Sequence, residues 1–151
     1  MTLITTTHLN FPGTARAALD FYRTVFGGDV ALTTYGEVGM PADAPGADGV
    51  VFGQLVSPTG FRVMAYDIPG RAEPFTGTTR REHGATLTDR PFFLSLRAAS
   101  LDEAAARWNA LSEGATVIEP LAASAWSPGF GMLTDRFGVT WVVDVEAAPT
   151  A

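Results

Sequence analysis

Residues 9–28 read LNFPGTARAALDFYRTVFGG, and this stretch predicts the end of a strand, a turn and a helix in immediate succession. β-Branched and apolar residues predict a strand over residues 3–11, which a Pro-Gly pair ends. Apolar side chains then recur at helical spacing, at Ala15, Ala18, Leu19, Tyr22, Val25 and Phe26. Thr14 is a helix-capping residue type and the glycine at 27 is a helix stop, so the helix is expected to lie between them.

Three further strands are predicted after this helix. They cover residues 29–35, 50–56 and 61–67, and a glycine- and proline-rich loop at 36–48 separates the first two. Ser57-Pro58-Thr59-Gly60 is a turn sequence that makes the last two strands a hairpin. The order is therefore βαβββ.

The same order returns in the second half of the chain. Strands are predicted at 92–96, 116–121, 126–134 and 139–145, and a capping box at Ser100-Leu101-Asp102-Glu103 opens a helix after the first of them. The repeat predicts one domain over 1–151 with modules at 3–67 and 91–145. We expect an α+β fold in which two βαβββ modules form a curved eight-stranded mixed sheet with the helices on its outer face.

Residues 68–90 lack clear periodicity and are predicted to be a linker loop. Arg80 and Arg81 in this segment are surface charges or dimer contacts in one interpretation. In the other, the loop folds over a cavity and the two arginines bind an anionic ligand. His83 beside them fits a solvated loop position.

Composition excludes several classes of function. The formal net charge is −6, and all 10 basic residues are arginine, which argues against nucleic acid as a partner. No cysteine is present, so thiol catalysis and cysteinyl metal sites are excluded. No apolar run approaches a membrane span and no signal peptide is evident, so a cytoplasmic protein is expected; the alanine- and arginine-rich usage suggests a bacterial source.

Two sets of motifs resemble one known family. The opening set is Leu9-Asn10-Phe11-Pro12-Gly13, Ala18-Leu19-Asp20-Phe21-Tyr22 and Val25-Phe26-Gly27-Gly28, and the closing set is Phe130-Gly131-Met132, Asp135-Arg136-Phe137-Gly138 and Val139-Thr140-Trp141. Both are similar to the PhnB-like branch of the vicinal oxygen chelate superfamily, which contains glyoxalases, bleomycin-resistance proteins and extradiol dioxygenases. The resemblance implies paired βαβββ modules, a homodimer, and a divalent metal held by three or four His, Glu or Gln side chains, one from each of four strands.

The positions that would carry this metal are mostly without donors. His8 and Gln54 are the two candidates that match the family pattern. Residues 91–97 contain no His, Asp or Glu, and the position seven residues after Asp135, where relatives carry a Glu, is Val142. A catalytic site needs about three protein ligands. We therefore expect no metal and no other cofactor, with a divalent metal as the alternative.

The candidate ligand-binding residues follow from strand alternation and residue type. Thr6, His8 and Asn10 share one strand face, opposite Leu9 and Phe11. With them, the candidate set is Thr6, His8, Asn10, Gln54, Tyr66, Ser95, Trp126, Met132 and Trp141. His8 is also the candidate catalytic base, although a half-buried structural histidine fits the same pattern. Arg97 is placed either in the cavity or at a strand end in water.

Three functions remain open at this point. The first is a small-molecule binder with a metal-free cavity for an apolar or aromatic ligand. The second is a metal-dependent lyase, isomerase or dioxygenase of the vicinal oxygen chelate type with an atypical site. The third is an inert dimeric interaction module. No nucleotide-binding glycine loop supports methyl transfer.

Overall fold

The computed structural model describes residues 2–147, which form ten strands, two α-helices and one short 3-10 helix. The chain divides between Phe75 and Thr76 into two compact units. Neither α-helix within residues 2–147 has the length or the apolar composition that a bilayer span requires. The α+β class and the two βαβββ modules are confirmed.

The first unit contains one βαβββ module. Its elements are β1 (Thr7–Phe11), α1 (Ala15–Phe26), β2 (Asp29–Thr34), β3 (Val50–Val56) and β4 (Arg62–Asp67), with the 3-10 helix Gly36–Val38 in the loop after β2. The strands form one sheet in the order β1-β4-β3-β2, in which β1 and β4 are parallel and the other pairs are antiparallel. The first strand was predicted over residues 3–11, but in the structure it begins at Thr7.

Helix α1 covers one face of this sheet. All six apolar positions that the spacing predicted are buried, together with Phe21. Leu9 and Phe11 are buried while His8 and Asn10 are exposed, as strand alternation predicted. In β3, Gly53 lets the helix approach closely, because a Cβ there would lie 2.6 Å from Leu19 Cδ1.

The start of α1 is held differently from the prediction. The Thr14 side chain makes no capping hydrogen bond. Instead the buried carboxylate of Asp67 accepts from the backbone N–H of Ala15 at 2.9 Å and from that of Val50 at 2.8 Å. The side-chain capping role expected of Thr14 is therefore wrong, since a carboxylate from β4 occupies that place.

The second unit contains the other βαβββ module. Its elements are β7 (Leu94–Ala98), α2 (Leu101–Leu111), β8 (Thr116–Ala122), β9 (Phe130–Thr134) and β10 (Thr140–Val145). The strand order is β7-β10-β9-β8, with β7 and β10 parallel. Ser100 caps helix α2 as the capping-box motif predicted, since Ser100 Oγ accepts from Glu103 N at 3.2 Å.

The segment expected to be a structureless linker contains a hairpin. Strands β5 (Thr79–Glu82) and β6 (Ala85–Thr88) pair antiparallel. His83 (φ 51°) and Gly84 (φ 78°) form its two-residue loop, and the Thr79 and Thr88 hydroxyls hydrogen-bond across it at 2.8 Å. The prediction missed the hairpin because its alternating side chains are mostly polar and leave no hydrophobic pattern.

One strand in the second module is shorter than expected. The predicted strand over residues 126–134 begins only at Phe130. Ser124 and Ser127 hydrogen-bond to each other, with Ser124 N to Ser127 O at 2.9 Å and Ser127 N to Ser124 Oγ at 3.1 Å. This closed turn keeps Trp126 out of the strand ladder.

The 3-10 helix in the first module gives a pH prediction. Glu37 Oε2 accepts from Thr34 N at 2.7 Å and from Thr34 Oγ1 at 3.1 Å, and these bonds, the backbone one above all, hold the pKa of Glu37 below its ordinary value. Its contribution to stability is present above the unfolded pKa and lost as pH falls through the folded pKa. A carboxyl NMR titration should give Glu37 a lower pKa in the folded chain than in the urea-unfolded chain. Equal values would contradict this.

Candidate functional site

The first module presents a helix-free face, the side of its sheet opposite α1. Strand β1 places His8 and Asn10 there, β4 places Met64 and Tyr66, and β3 places Gln54. The register sets His8 beside Met64 and Met64 beside Gln54. Thr6 is half-buried immediately before β1. The structure therefore brings four candidates of the first module to one face (His8, Asn10, Gln54 and Tyr66), and adds Met64 and an exposed Phe52 to them.

His8 is fixed by two neighbours on this face. Its Nδ1 lies 3.0 Å from Asn10 Oδ1, and its ring meets that of Tyr66 in an edge-on contact at 5.3 Å. A hydrogen bond donated from Nδ1 to this amide oxygen would leave Nε2 as the acceptor of the ring. In that tautomer the imidazole can accept a hydrogen bond from a ligand on the helix-free face.

The second module has a corresponding helix-free face. Ser95, Val142 and Met132 lie side by side across β7, β10 and β9, and Glu119 of β8 is next to Met132. This row combines a hydroxyl, a carboxylate and apolar surface. Met132 is 1% exposed, and the hydroxyl of Thr86 in the hairpin lies 3.5 Å from its sulfur.

Arg97 and Asp144 form an ion pair on this second face. Two parallel bonds join them, Arg97 Nε to Asp144 Oδ1 at 3.1 Å and Arg97 Nη2 to Asp144 Oδ2 at 2.9 Å. The hydrogen bonds and charge of Asp144 raise the pKa of Arg97. Asp144 is buried, whereas the Arg97 side chain is largely exposed. The pair leaves the buried carboxylate satisfied.

Two predicted aromatic site residues have different positions from those expected. Trp141 faces the helix side of its sheet, is 1% exposed, and donates its indole N–H to Asp135 Oδ2 at 2.9 Å. It is a core residue without access to the helix-free face. Trp126 is 59% exposed in the loop before β9 and meets the ring of Phe130 edge-on at 5.5 Å.

Sequence reasoning missed two carboxylates on the second face, those of Glu119 and Asp144. A usable signal existed for Asp144, because it is the one charged residue in the strand TWVVDV. A charge inside an apolar strand marks either a paired group or a site. Glu119 gives no comparable signal, since two β-bulges in β8 break the alternation around it.

The residues expected to hold a metal do not fit a conventional site. His8 and Gln54 are on the same face of the first module but are separated by β4, which puts their Cα atoms about 10 Å apart at the usual strand spacing. In the strand register of the second module, the positions that correspond to His8 and Gln54 hold Ser95 and Met132. Within residues 2–147, no group of three or more His, Cys, Asp or Glu side chains is arranged to hold a metal ion.

Comparison with known proteins agrees with this architecture. The model of a family described as the Glyoxalase/Bleomycin resistance protein/Dioxygenase superfamily matches residues 8–143. Among solved structures, protein PA1353 from Pseudomonas aeruginosa is 34% identical with a TM-score of 0.76, over 96% of this chain and 98% of that one. No curated protein matches the sequence.

Two more distant structures share the fold. A PhnB protein from Bacillus cereus, named as a putative 3-demethylubiquinone-9 3-methyltransferase, is 21% identical with a TM-score of 0.70, over 95% of this chain and 100% of that one. A glyoxylase/bleomycin resistance protein/dioxygenase domain from Frankia sp. EAN1pec is 13% identical with a TM-score of 0.62, over 97% and 99% of the two chains. At these identities the likeness concerns the fold alone.

Proposed function

The chain belongs to the glyoxalase/bleomycin resistance/dioxygenase superfamily, and from this we propose that it binds a small apolar or aromatic molecule without a metal ion. The observation that carries the proposal is the composition of the helix-free face of the first module. Tyr66, Met64 and Phe52 supply apolar and aromatic surface beside the polar groups of His8 and Gln54. Such mixtures of aromatic surface and a few polar groups are typical of small-molecule sites.

The donor set supports binding over metal-dependent catalysis. Superfamily enzymes of the metal type need an open metal site that holds vicinal substrate oxygens. Here the amide of Gln54 is a weak ligand, and Ser95 and Val142 stand where further ligands are expected. In this proposal His8 accepts a hydrogen bond that orients a ligand, and the contact with Asn10 holds the imidazole ring in place.

Two measurements on the purified protein test the proposal. After incubation with zinc, nickel, manganese or ferrous iron and desalting, elemental analysis should find far less than one metal per chain. Titration calorimetry with 2-naphthamide, a neutral planar probe, should show binding that EDTA leaves unchanged.

A pair of variants assigns that binding to the first module. Tyr66→Ala should weaken 2-naphthamide binding roughly tenfold, because it removes aromatic contact area from the helix-free face. Phe75→Ala is the matched control, since Phe75 is an exposed aromatic residue outside the sheet that packs under Arg71. One metal per chain would overturn the metal-free proposal and favour the metal-dependent lyase or dioxygenase. Equal affinities of the two variants would remove the first face as the binding surface.

A further inference from the structure

The hairpin β5–β6 brings Arg81 and Thr86 over the helix-free face of the second module. The two residues are directly opposite each other in the hairpin register. The guanidinium carbon of Arg81 is 5.0 Å from the centre of the Phe130 ring, and the Thr86 hydroxyl donates to the Met132 sulfur at 3.5 Å. The hairpin thus places a cation against an aromatic and apolar surface.

The hydrogen-bonding capacity of Arg81 is only partly used. Its Nη1 donates to Thr86 Oγ1 at 2.9 Å, but its buried Nε has no hydrogen-bond partner. Within the part of the chain that the structure describes, no carboxylate forms an ion pair with Arg81. Arg80, its neighbour on the opposite side of the hairpin, is exposed and pairs with Glu82 at 2.7 Å. A half-buried guanidinium without a counterion is unfavourable until an anion reaches it.

An exposed aromatic surface adjoins this cation. Phe130 has the Arg81 guanidinium over its face and the edge-on indole of Trp126 at 5.5 Å. The Trp126 loop is anchored, because Ser127 Oγ donates to the carbonyl of Val145 at 2.7 Å. A fixed indole that is 59% exposed offers a planar surface on which an aromatic ring can stack.

We propose that Arg81 and Trp126 form a subsite for a planar aromatic carboxylate on the second module. The ring of the ligand stacks on the Trp126 indole, and its carboxylate accepts hydrogen bonds from the Arg81 guanidinium. This inference rests on the proposed small-molecule binding function and specifies the chemical class of the ligand.

The test compares two probes of the same shape that differ in charge. Wild-type protein should bind 2-naphthoate at least about tenfold more tightly than 2-naphthamide by titration calorimetry, because a charge-assisted hydrogen bond has that effect. Arg81→Met should abolish the preference, and Arg80→Met, the matched control on the other side of the hairpin, should keep it. Trp126→Ala should weaken the binding of 2-naphthoate, the probe that this subsite takes, and leave the binding of 2-naphthamide to the first module unchanged.

Each alternative result has a definite meaning. Equal wild-type affinities for the two probes, or a preference that survives Arg81→Met, would overturn the carboxylate subsite and leave the proposed binding function standing. Failure of both probes to bind would overturn the subsite and the binding function together. The wild-type preference needs no variant, so the inference stays testable if Arg81→Met does not fold.

Discussion

Replacing Asp67 with alanine is expected to lower the free energy of unfolding by about 3 kcal/mol or more. The Asp67 side chain is buried, and its two oxygens accept from the backbone N–H groups of Ala15 and Val50. Alanine offers neither acceptor, so two backbone donors lose their partners inside the first module, at about 1–3 kcal/mol each. The same change disconnects the start of α1 from β3.

Urea unfolding followed by circular dichroism measures this effect. The midpoint should fall while the m-value stays unchanged, which indicates a loss of stability without a change in compactness. Asp43→Ala is the control, because Asp43 is an exposed aspartate in the loop after β2 and should change stability by less than about 0.5 kcal/mol. An Asp67→Ala protein as stable as the Asp43→Ala protein would show that the two hydrogen bonds contribute nothing.

The same geometry separates structural carboxylates from candidate functional ones. A buried aspartate is a common signature of catalysis, but both oxygens of Asp67 are already bonded to the backbone. Asp135 is similar, since it accepts from Phe137 N, Val139 N and the indole of Trp141. Neither carboxylate is available to a ligand.

The predictions from sequence succeeded where one face of an element is apolar and the other is polar. Helix α1 has six apolar positions at a spacing near 3.6 residues, and the structure buries them all. Strand β1 alternates cleanly, so the order of its residues was enough to assign His8 and Asn10 to one face. In both elements the burial of one face decides the orientation of every side chain.

The assignment of Trp141 failed because residue type was given more weight than strand alternation. In TWVVDV one face is wholly apolar (Trp141, Val143, Val145) and the other contains Thr140 and Asp144, but residue type favours an aromatic side chain as site lining. The charge of Asp144 contained the missing information. It is on the face opposite Trp141, where Arg97 reaches it, so the tryptophan must face the helix. A single buried charge fixes the register of an otherwise ambiguous strand.

The hairpin β5–β6 illustrates a second limit of sequence patterns. Its strands are only four residues long each, and polar side chains supply most of its cross-strand contacts. Hydrophobic periodicity cannot reveal such a hairpin. The proposed role of the hairpin depends on Arg81 and Arg80 lying on opposite sides of it. Two adjacent arginines in the sequence do not show which of them faces the second module.

Replacing Gly131 with alanine is the second large expected effect, a loss of about 2 kcal/mol in the free energy of unfolding. A Cβ on Gly131 would lie 2.7 Å from Trp108 Cζ3 and 2.9 Å from the backbone Cα of Leu121. Both are closer than packed atoms tolerate, so helix α2 or strand β8 must move, at about 1–3 kcal/mol for an overpacked core. Gly53 makes the equivalent close approach in the first module, between Leu19 and the Ala65 carbonyl.

A double-mutant cycle with Trp108 separates the two sources of strain. Trp108→Leu removes the ring atoms that meet the new methyl group, so Gly131→Ala should cost about 1 kcal/mol less in that background than in the wild type. Urea unfolding of the four proteins gives this coupling energy. Strict additivity would mean that the contact with Leu121 alone opposes the methyl group. A Gly131→Ala protein as stable as the wild type would contradict the close packing of α2 on β9, the feature that the second module shares with α1 on β3.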